Sequence, residues 1–208
     1  MDISCIVLAG GKSLRLGRDK VRVNLGDSNL LQRVISKLSF LNADIIVVTA
    51  KKEPVPDFID YPKVKTVGDI YPGKGSLGGI YTGLAASDSF HNLVVACDMP
   101  FLNRALLCYM LQVAADFDLV VPRLGKRIEP LHAVYSQNCL APIENLLKQG
   151  ELQIFKFFHE VKVKYLEAGE IERFDLEHLS FFNINTEADL KKAVELTKRE
   201  DTNHHGEC

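Results

Sequence analysis

Short apolar runs rich in Val, Ile and Leu alternate along the chain with stretches whose apolar residues recur at helical spacing. The short runs predict β-strands at Ile3–Leu8, Asp44–Thr49, Val64–Val67, Leu93–Cys97, Leu119–Pro122, Pro130–Tyr135, Val161–Leu166 and Phe181–Ile184. The helical spacing predicts helices at Leu30–Leu41, Gly79–Ser87, Arg104–Ala115, Ala141–Lys148 and Glu187–Lys198. Several strand candidates are almost continuously apolar, as expected for strands covered on both faces of a mostly parallel sheet. We therefore predict an α/β fold, a three-layer α/β/α sandwich with a mostly parallel, Rossmann-like sheet.

The chain has 208 residues, which is long enough to bury one sizeable core. No Pro/Gly-rich linker, internal repeat or low-complexity segment divides it. We predict a single domain over residues 1–198, followed by a polar and disordered C-terminal tail over residues 199–208.

Composition and charge exclude several classes of function. The formal net charge of -2 provides no overall field that would recruit nucleic acid, so any anion site has to be local. No apolar run approaches the roughly 20 residues of a membrane span, and the N-terminus lacks the basic segment of a signal peptide. The cysteines are widely spaced without a C-x-x-C pair, which indicates neither a disulfide framework nor a zinc site. We expect a cytoplasmic protein that binds neither nucleic acid nor membranes.

A glycine turn follows the first predicted strand, in the segment CIVLAGGKSLRLGRDK. Gly10 and Gly11 allow the backbone to approach a ligand closely. The cations that follow are Lys12, Arg15, Arg18 and Lys20. The spacing fits neither a Walker A loop nor a dinucleotide fingerprint. A plain turn with solvated charges is the alternative, but ligands of open α/β sheets bind outside the carboxyl ends of strands, which favours anion binding here.

Two carboxylates follow other predicted strands. Asp98 comes directly after the apolar run VVAC, and Asp69 follows the strand predicted at Val64–Val67. Asp98 could instead cap a helix, and Asp69 could form an Asx-turn. At one edge of the sheet the two would offer oxygen ligands to a divalent cation such as Mg²⁺. His132, within EPLHAVY, is predicted to be packed rather than catalytic, and no serine lies in a nucleophile elbow.

Five segments carry a resemblance to a known family. They are LAGGKSLRLGRDK, GDIYPGKGSLGGI, VVACDMPFL, EPLHAVY and FNINTEADL, in this order along the chain. The first is similar to the signature of Rossmann-like nucleotidyltransferases. Together they resemble the molybdenum cofactor guanylyltransferase family.

The resemblance implies a reaction and its partners. GMP would be transferred from GTP to molybdopterin, or to its molybdenum-loaded form, with Mg²⁺ as cofactor. The products would be molybdopterin guanine dinucleotide and pyrophosphate. Transient contacts would be made with other molybdenum cofactor biosynthesis proteins and with the molybdoenzymes that receive the product.

The resemblance also implies roles for particular residues. The GTP-binding set is Leu8, Ala9, Gly10, Gly11, Lys20, Asp69 and Asp98. Arg15, Lys20 and Asp98 match catalytic residues, and Asp98 also matches the metal ligand. Asn183 and Asn185 match asparagines near the pterin or a second metal.

The chain departs from the family pattern at two positions. Ser76 stands where a proline is usual, and Thr49 stands where some guanylyltransferases have an asparagine that contacts the nucleotide. The second departure concerns the choice of base and leaves open a CTP-dependent molybdopterin cytidylyltransferase. A related sugar- or polyol-phosphate nucleotidyltransferase is a further alternative. A nucleotide-binding adaptor without catalysis is a further alternative, which would be marked by loss of Asp98, Lys20 or Arg15, and all three are present.

Overall fold

A computed structural model describes residues 2–10, 23–50 and 61–204. The strands are β1 (Ile3–Leu8), β2 (Asn24–Leu25), β3 (Ser28–Asn29), β4 (Asp44–Thr49), β5 (Val64–Gly68), β6 (His91–Ala96), β7 (Leu119–Leu124), β8 (Arg127–Ile128), β9 (His132–Ser136) and β10 (Val163–Glu167). The α-helices are α1 (Leu30–Leu38), α2 (Gly75–Ala85), α3 (Arg104–Val113), α4 (Leu140–Gln149), α5 (Ala168–Ile171) and α6 (Glu187–His204). Short 3₁₀ helices lie at Ser39–Leu41, Ala114–Asp116, Gln137–Cys139, Ile154–Glu160 and Leu179–Phe181.

The main sheet has the strand order β10-β7-β9-β6-β1-β4-β5, with β8 paired to β7. Strand β1 is central and parallel to both neighbours, with Val7 opposite Val47 of β4 and Val95 of β6. Strand β9 runs antiparallel to β6 and β7, and β8 is antiparallel to β7. The other pairs are parallel. The prediction of a mostly parallel sheet is confirmed, and the carboxyl ends of β1, β4, β5 and β6 meet at one edge.

Helices cover both faces of this sheet, which confirms the three-layer prediction. Apolar residues of α1, α3 and α5 form one core with the sheet, and those of α2, α4 and the 3₁₀ helix Ile154–Glu160 form the other. Successive side chains of β1 point to opposite faces of the sheet, so Val7 packs in the first core and Ile6 in the second. A smaller cluster joins α6 to β2 through Leu196 and Leu25. Within the described ranges, no helix is long and apolar enough to cross a membrane.

Helix α2 lies unusually close to β1 because glycines face the strand. A Cβ atom added at Gly83 would lie 2.3 Å from Cγ2 of Ile6, and one added at Gly79 would lie 3.2 Å from Cδ2 of Leu8. Real Cβ atoms do not approach other heavy atoms to 2.3 Å, so only glycine fits at residue 83 without displacing the helix or the Ile6 side chain. This close contact brings the first turn of α2 to the edge where the parallel strands end.

The strand predicted at Phe181–Ile184 is wrong. Its first residue ends the 3₁₀ helix Leu179–Phe181, and the following residues form no strand. Phe181 and Ile184 are both buried, so their apolar character arises from packing and not from a place in the sheet. The N–H of Ile184 donates to the carbonyl oxygen of Asp98 at 3.0 Å, a single bond where a strand would form a ladder.

Other differences concern the ends of elements and short elements. Helix α2 begins at Gly75 and not at Gly79, because the glycines of GKGSLGG have low helix propensity and conceal the first turn. The two-residue strands β2, β3 and β8 and the single-turn helix α5 are too short for a periodic signal. Helix α6 reaches His204, so the predicted boundary at residue 198 falls within a helix. Residues 205–208 lie outside the described ranges, and the single domain with a disordered tail stays a prediction.

Candidate functional site

A cavity of about 410 Å³ opens at the edge where the parallel strands end. Its walls come from the ends of β1, β4 and β6, from the residue after β5, and from the first turn of α2. Among the residues that line it are Leu8, Gly10, Thr49, Asp69 and Asp98. The structure therefore brings together two of the predicted backbone positions and both predicted carboxylates.

The end of β1 contributes backbone to this cavity. The N–H of Ala9 donates to the carbonyl oxygen of Val48 at 2.8 Å, and the carbonyl oxygen of Leu8 accepts from the N–H of Cys97 at 3.1 Å. Ala9 is buried and does not line the cavity, and its N–H is already engaged. A Cβ added at Gly10 would lie 3.2 Å from the backbone nitrogen of Ala50, so the chain passes close to the end of β4 here. Leu8 and Gly10 are thus better placed than Ala9 to meet a ligand.

Asp98 follows β6 and is only 7% exposed. It does not cap helix α3: that cap is Asn103, whose side-chain oxygen accepts from the N–H of Leu106 at 3.0 Å. The alternative of a capping role is therefore excluded for α3. The carbonyl oxygen of Asp98 accepts a hydrogen bond from the backbone N–H of Ile184, which ties the segment after β6 to the segment around Ile184. Asp98 is thus a buried residue of the cavity wall, in the turn that follows β6.

Asp69 follows β5 and is half-buried. One carboxylate oxygen, Oδ1, accepts from the backbone N–H of Tyr71 and from the hydroxyl of Thr82, each at 2.9 Å. The backbone N–H of Asp69 donates to the carbonyl oxygen of Thr49 at 2.7 Å. The Asx-turn alternative is therefore correct, and the same residue also lines the cavity. The sequence does not reveal the bond from Thr82, because nothing about a threonine within an apolar helix indicates which residue it will contact.

The loop before α2 provides further backbone groups. Gly73 and Gly75 have φ values of 83° and 62°, in the left-handed region that favours glycine. Both line the cavity together with Ser76, in the first turn of α2. The first N–H groups of a helix lack intrahelical acceptors and attract anions. Ser76 has a backbone N–H, which a proline at this position would lack.

Some predicted site residues fall outside the described ranges, and two described ones do not line the cavity. Gly11, Arg15 and Lys20 fall in residues 11–22, outside the described ranges. Asn183 and Asn185 do not line the cavity: the side-chain amide of Asn183 donates to the carbonyl oxygen of Phe181 at 3.1 Å, and the N–H of Asn185 donates to Asp189 at 3.0 Å. They flank Ile184, whose backbone N–H donates to the carbonyl oxygen of Asp98 and so ties their segment to the residue after β6.

Comparisons with known proteins show the family of the chain. The family described as MobA-like NTP transferase domain matches residues 5–163. The chain belongs to this family. It is 34% identical to the probable molybdenum cofactor guanylyltransferase of Pelotomaculum thermopropionicum over 90% of both chains. It is 32% identical to the molybdenum cofactor guanylyltransferase of Desulfosudis oleivorans, covering 92% of this chain and 94% of that one. The chain is thus a nucleotidyltransferase of molybdenum cofactor biosynthesis.

Solved structures extend the comparison to the fold. Molybdopterin-guanine dinucleotide biosynthesis protein A from Archaeoglobus fulgidus matches with a TM-score of 0.81 and 29% identity, over 94% of this chain and 99% of that one. 2-C-methyl-D-erythritol 4-phosphate cytidylyltransferase from Thermus thermophilus matches with a TM-score of 0.68, over 93% of this chain and 98% of that one. Its 15% identity shows a shared fold only. The transferase fold therefore agrees with the family.

Beside the cavity, His132 begins β9 and is completely buried, as predicted. Its ring packs edge-to-face on Phe181 at a centroid distance of 4.9 Å, and neither ring nitrogen has a hydrogen-bond partner in the described structure. Burial lowers the pKa of His132 to about 4, and the negative charge of Asp175 acts in the opposite direction. The neutral imidazole thus behaves as a core side chain of the transferase.

We expect His132 to make the transferase acid-sensitive. In the unfolded chain a histidine pKa is about 6.5, and in the folded chain it is about 4. Between these two pH values the proton binds to the unfolded chain but not to the folded one. The contribution of neutral His132 to stability is therefore complete above pH 6.5 and is lost as the pH falls toward 4. The loss is about 3 kcal/mol in the free energy of unfolding, from about 1.4 kcal/mol per pKa unit.

Urea unfolding of the wild type and of His132→Asn at pH 8, 6.5 and 5 measures this effect. The stability gap between the two proteins should narrow as the pH falls, because the variant has no imidazole to protonate. A gap that is the same at pH 8 and pH 5 would show that His132 does not titrate in this way.

Proposed function

We propose that this transferase moves GMP from GTP to molybdopterin or its molybdenum-loaded form. A terminal phosphate oxygen of the acceptor attacks the α-phosphorus of GTP and forms a new P–O bond. The bond from the α-phosphorus to the bridging oxygen breaks, and pyrophosphate leaves with that electron pair. The observation that carries the proposal is that Asp69 and Asp98 line one cavity with the glycine backbone of two loops. The names of the relatives support the choice of substrates.

The cavity has suitable size and polarity for a nucleotide. Its volume of about 410 Å³ lies within the range of small-molecule sites. Leu8 and Val48 offer apolar surface for a base, and the first turn of α2 with Gly73 and Gly75 offers backbone N–H groups for phosphates. We propose that Leu8, Gly10 and Gly11 contact the nucleotide, with Ala9 limited to its carbonyl oxygen. Asp69 would accept a hydrogen bond from the nucleoside.

The donors at this edge fit a divalent cation that binds together with phosphates. Within the described part of the chain, no group of three or more His, Cys, Asp or Glu side chains could hold a metal ion alone. Mg²⁺ typically uses one or two carboxylates, with phosphate oxygens and water completing its shell, and the carboxylate of Asp98 in the cavity wall satisfies this need. When bound there, Mg²⁺ would orient the phosphates and neutralise part of their charge.

The chain's own contribution is positioning and charge. The acceptor phosphate is itself the nucleophile, so no protein nucleophile is needed, and catalysis consists of alignment and electrostatic stabilisation. Asp98 would hold the cation at the triphosphate. We propose that Arg15 and Lys20 neutralise charge on the leaving pyrophosphate, and that Asn183 or Asn185 meets the pterin or a second metal. The last of these requires movement of side chains that now lie outside the cavity.

The proposal extends to partners and location. We propose that the enzyme acts in the cytoplasm and meets other molybdenum cofactor biosynthesis proteins and recipient molybdoenzymes transiently. Its reaction requires no nucleic acid and no membrane.

A specific observation favours an alternative base. Thr49 lines the cavity, and its hydroxyl donates to the carbonyl oxygen of Val67 at 3.4 Å. An asparagine at this position would present an amide instead, with both a donor and an acceptor. CTP-dependent transfer to molybdopterin is therefore the second candidate, and transfer to a sugar or polyol phosphate stays open beside it.

Calorimetric titration with GTP, CTP, ATP and UTP, each with Mg²⁺, tests the choice of nucleotide. We expect GTP to bind at least about tenfold more tightly than the others, because a misfitting base leaves polar groups unpaired. Thr49→Asn provides a matched variant at the suspected specificity position and should not weaken GTP binding. Preference for CTP in the wild type would contradict the proposed donor and support the cytidylyl alternative.

A further inference from the structure

Thr82 connects helix α2 to the loop that follows β5. The residue lies between Gly79 and Gly83 in the sequence of α2, and it is only 3% exposed. Its hydroxyl donates to Oδ1 of Asp69 at 2.9 Å and accepts from the backbone N–H of Ile70 at 3.1 Å. The buried hydroxyl therefore joins two elements that both line the cavity.

The direction of each hydrogen bond is determined by chemistry. A backbone N–H can only donate, so the oxygen of Thr82 has to accept from Ile70. The hydroxyl proton is then available for the carboxylate of Asp69, which as an ion can only accept. Bonds to an ionised acceptor are stronger than neutral ones. The Thr82 hydroxyl thus donates one hydrogen bond and accepts another, both with the loop that contains Asp69.

The two carboxylate oxygens of Asp69 differ in their hydrogen bonding. Oδ1 receives the hydroxyl of Thr82 and the N–H of Tyr71, whereas Oδ2 has no partner among the described residues. Two donors on one oxygen fix the rotation of the carboxylate about its side-chain bonds. Because threonine is β-branched and its helix rests on β1 through glycines, the hydroxyl itself has little freedom.

We propose that Thr82 is a positioning residue for nucleotide binding: it holds Oδ1 of Asp69 so that Oδ2 is presented to the ligand. This inference rests on the proposed function, in which Asp69 contacts the nucleoside. Thr82 does not line the cavity and acts through Asp69. Its contribution should therefore disappear when Asp69 can no longer act as a carboxylate.

A double-mutant cycle tests this dependence. GTP with Mg²⁺ is titrated calorimetrically into the wild type, Thr82→Val, Asp69→Asn and the double variant. We expect Thr82→Val to weaken GTP binding about tenfold, as for loss of a hydrogen bond to a charged group. In the Asp69→Asn background the same change should weaken binding less than about twofold, and Thr82→Ser should retain wild-type affinity because it keeps the hydroxyl.

A matched control separates positioning from general loss of stability. Ser4 and Ser89 share a buried hydroxyl–hydroxyl bond of 2.9 Å near the opposite end of β1. Ser4→Ala should lower the melting temperature as Thr82→Val does, but should leave GTP affinity unchanged. If Thr82→Val does not fold, Thr82→Ala takes its place in the cycle, since it also removes the hydroxyl.

The outcomes distinguish the inference from the function on which it rests. The positioning role would be overturned if Thr82→Val weakened GTP binding equally in both backgrounds, or if Asp69→Asn bound GTP with wild-type affinity. In either case, selective GTP binding by the wild type would still support the proposed donor. Absence of GTP binding by the wild type would overturn both.

Discussion

Replacing Asp98 by asparagine is expected to reduce turnover about a thousandfold, by analogy with the loss of a preorganised charged group at a reaction centre. The amide has nearly the same shape, and the bond from Ile184 reaches the backbone and not the side chain. The change removes the negative charge of Asp98, and with it the preferred ligand of a divalent cation. Pyrophosphate release from GTP with molybdopterin and Mg²⁺ measures the loss.

Asp44→Asn is the matched control for this experiment. Asp44 begins β4 at the opposite end of the strand from the cavity and is exposed, so its charge does not bear on the reaction. Both variants should melt within a few degrees of the wild type. If Asp98→Asn retained most of the wild-type rate, Asp98 would have no part in the mechanism.

Gly83→Ala should destabilise the folded protein by about 3 kcal/mol, at the upper end of typical overpacking costs. The added methyl group would lie 2.3 Å from Cγ2 of Ile6, which is completely buried and cannot swing into solvent. Either Ile6 leaves its rotamer or α2 moves away from β1. Urea unfolding of the purified variant gives the change directly, and a shift of α2 would also reduce GTP affinity.

Two further variants define the cause of this loss. Gly169→Ala places the same methyl group in α5, where a Cβ meets nothing within 4 Å, and it should be neutral or slightly stabilising. Ile6→Ala combined with Gly83→Ala removes the clashing atoms, so the double variant should lose less than the sum of the two single changes. Equal stability of Gly83→Ala and Gly169→Ala would show that α2 and β1 are not in close contact.

The sequence predicted the sheet because its strands are marked by nearly continuous apolar runs between helical stretches. The rule that parallel strands place ligands at their carboxyl ends then located Asp69 and Asp98 at one edge, where the structure has them. The sequence of β9 does not indicate whether the strand runs parallel or antiparallel to its neighbours, since an apolar run is compatible with both. Phe181 and Ile184 were misread as strand for a related reason: burial against helices and burial in a sheet require the same apolar residues.

The finer parts of the site depend on contacts between distant segments. Thr82 and Asp69 are thirteen positions apart, and their bond exists only because α2 returns across β1 to the end of β5. The glycines that allow this return also concealed the first turn of α2, which supplies backbone N–H groups to the cavity. Asn183 and Asn185 were predicted from the family pattern, and the structure gives them local hydrogen bonds to Phe181 and Asp189 that the pattern does not indicate.

The most direct test of the central claim is the identity of the product. The wild-type enzyme is incubated with molybdopterin, Mg²⁺ and either GTP or CTP, and the pterin products are separated and weighed by mass spectrometry while pyrophosphate is measured. The account predicts a guanylated pterin formed in equal amount with pyrophosphate from GTP, and little product from CTP. A cytidylated pterin as the main product, or no nucleotide-linked pterin with either nucleotide, would contradict it.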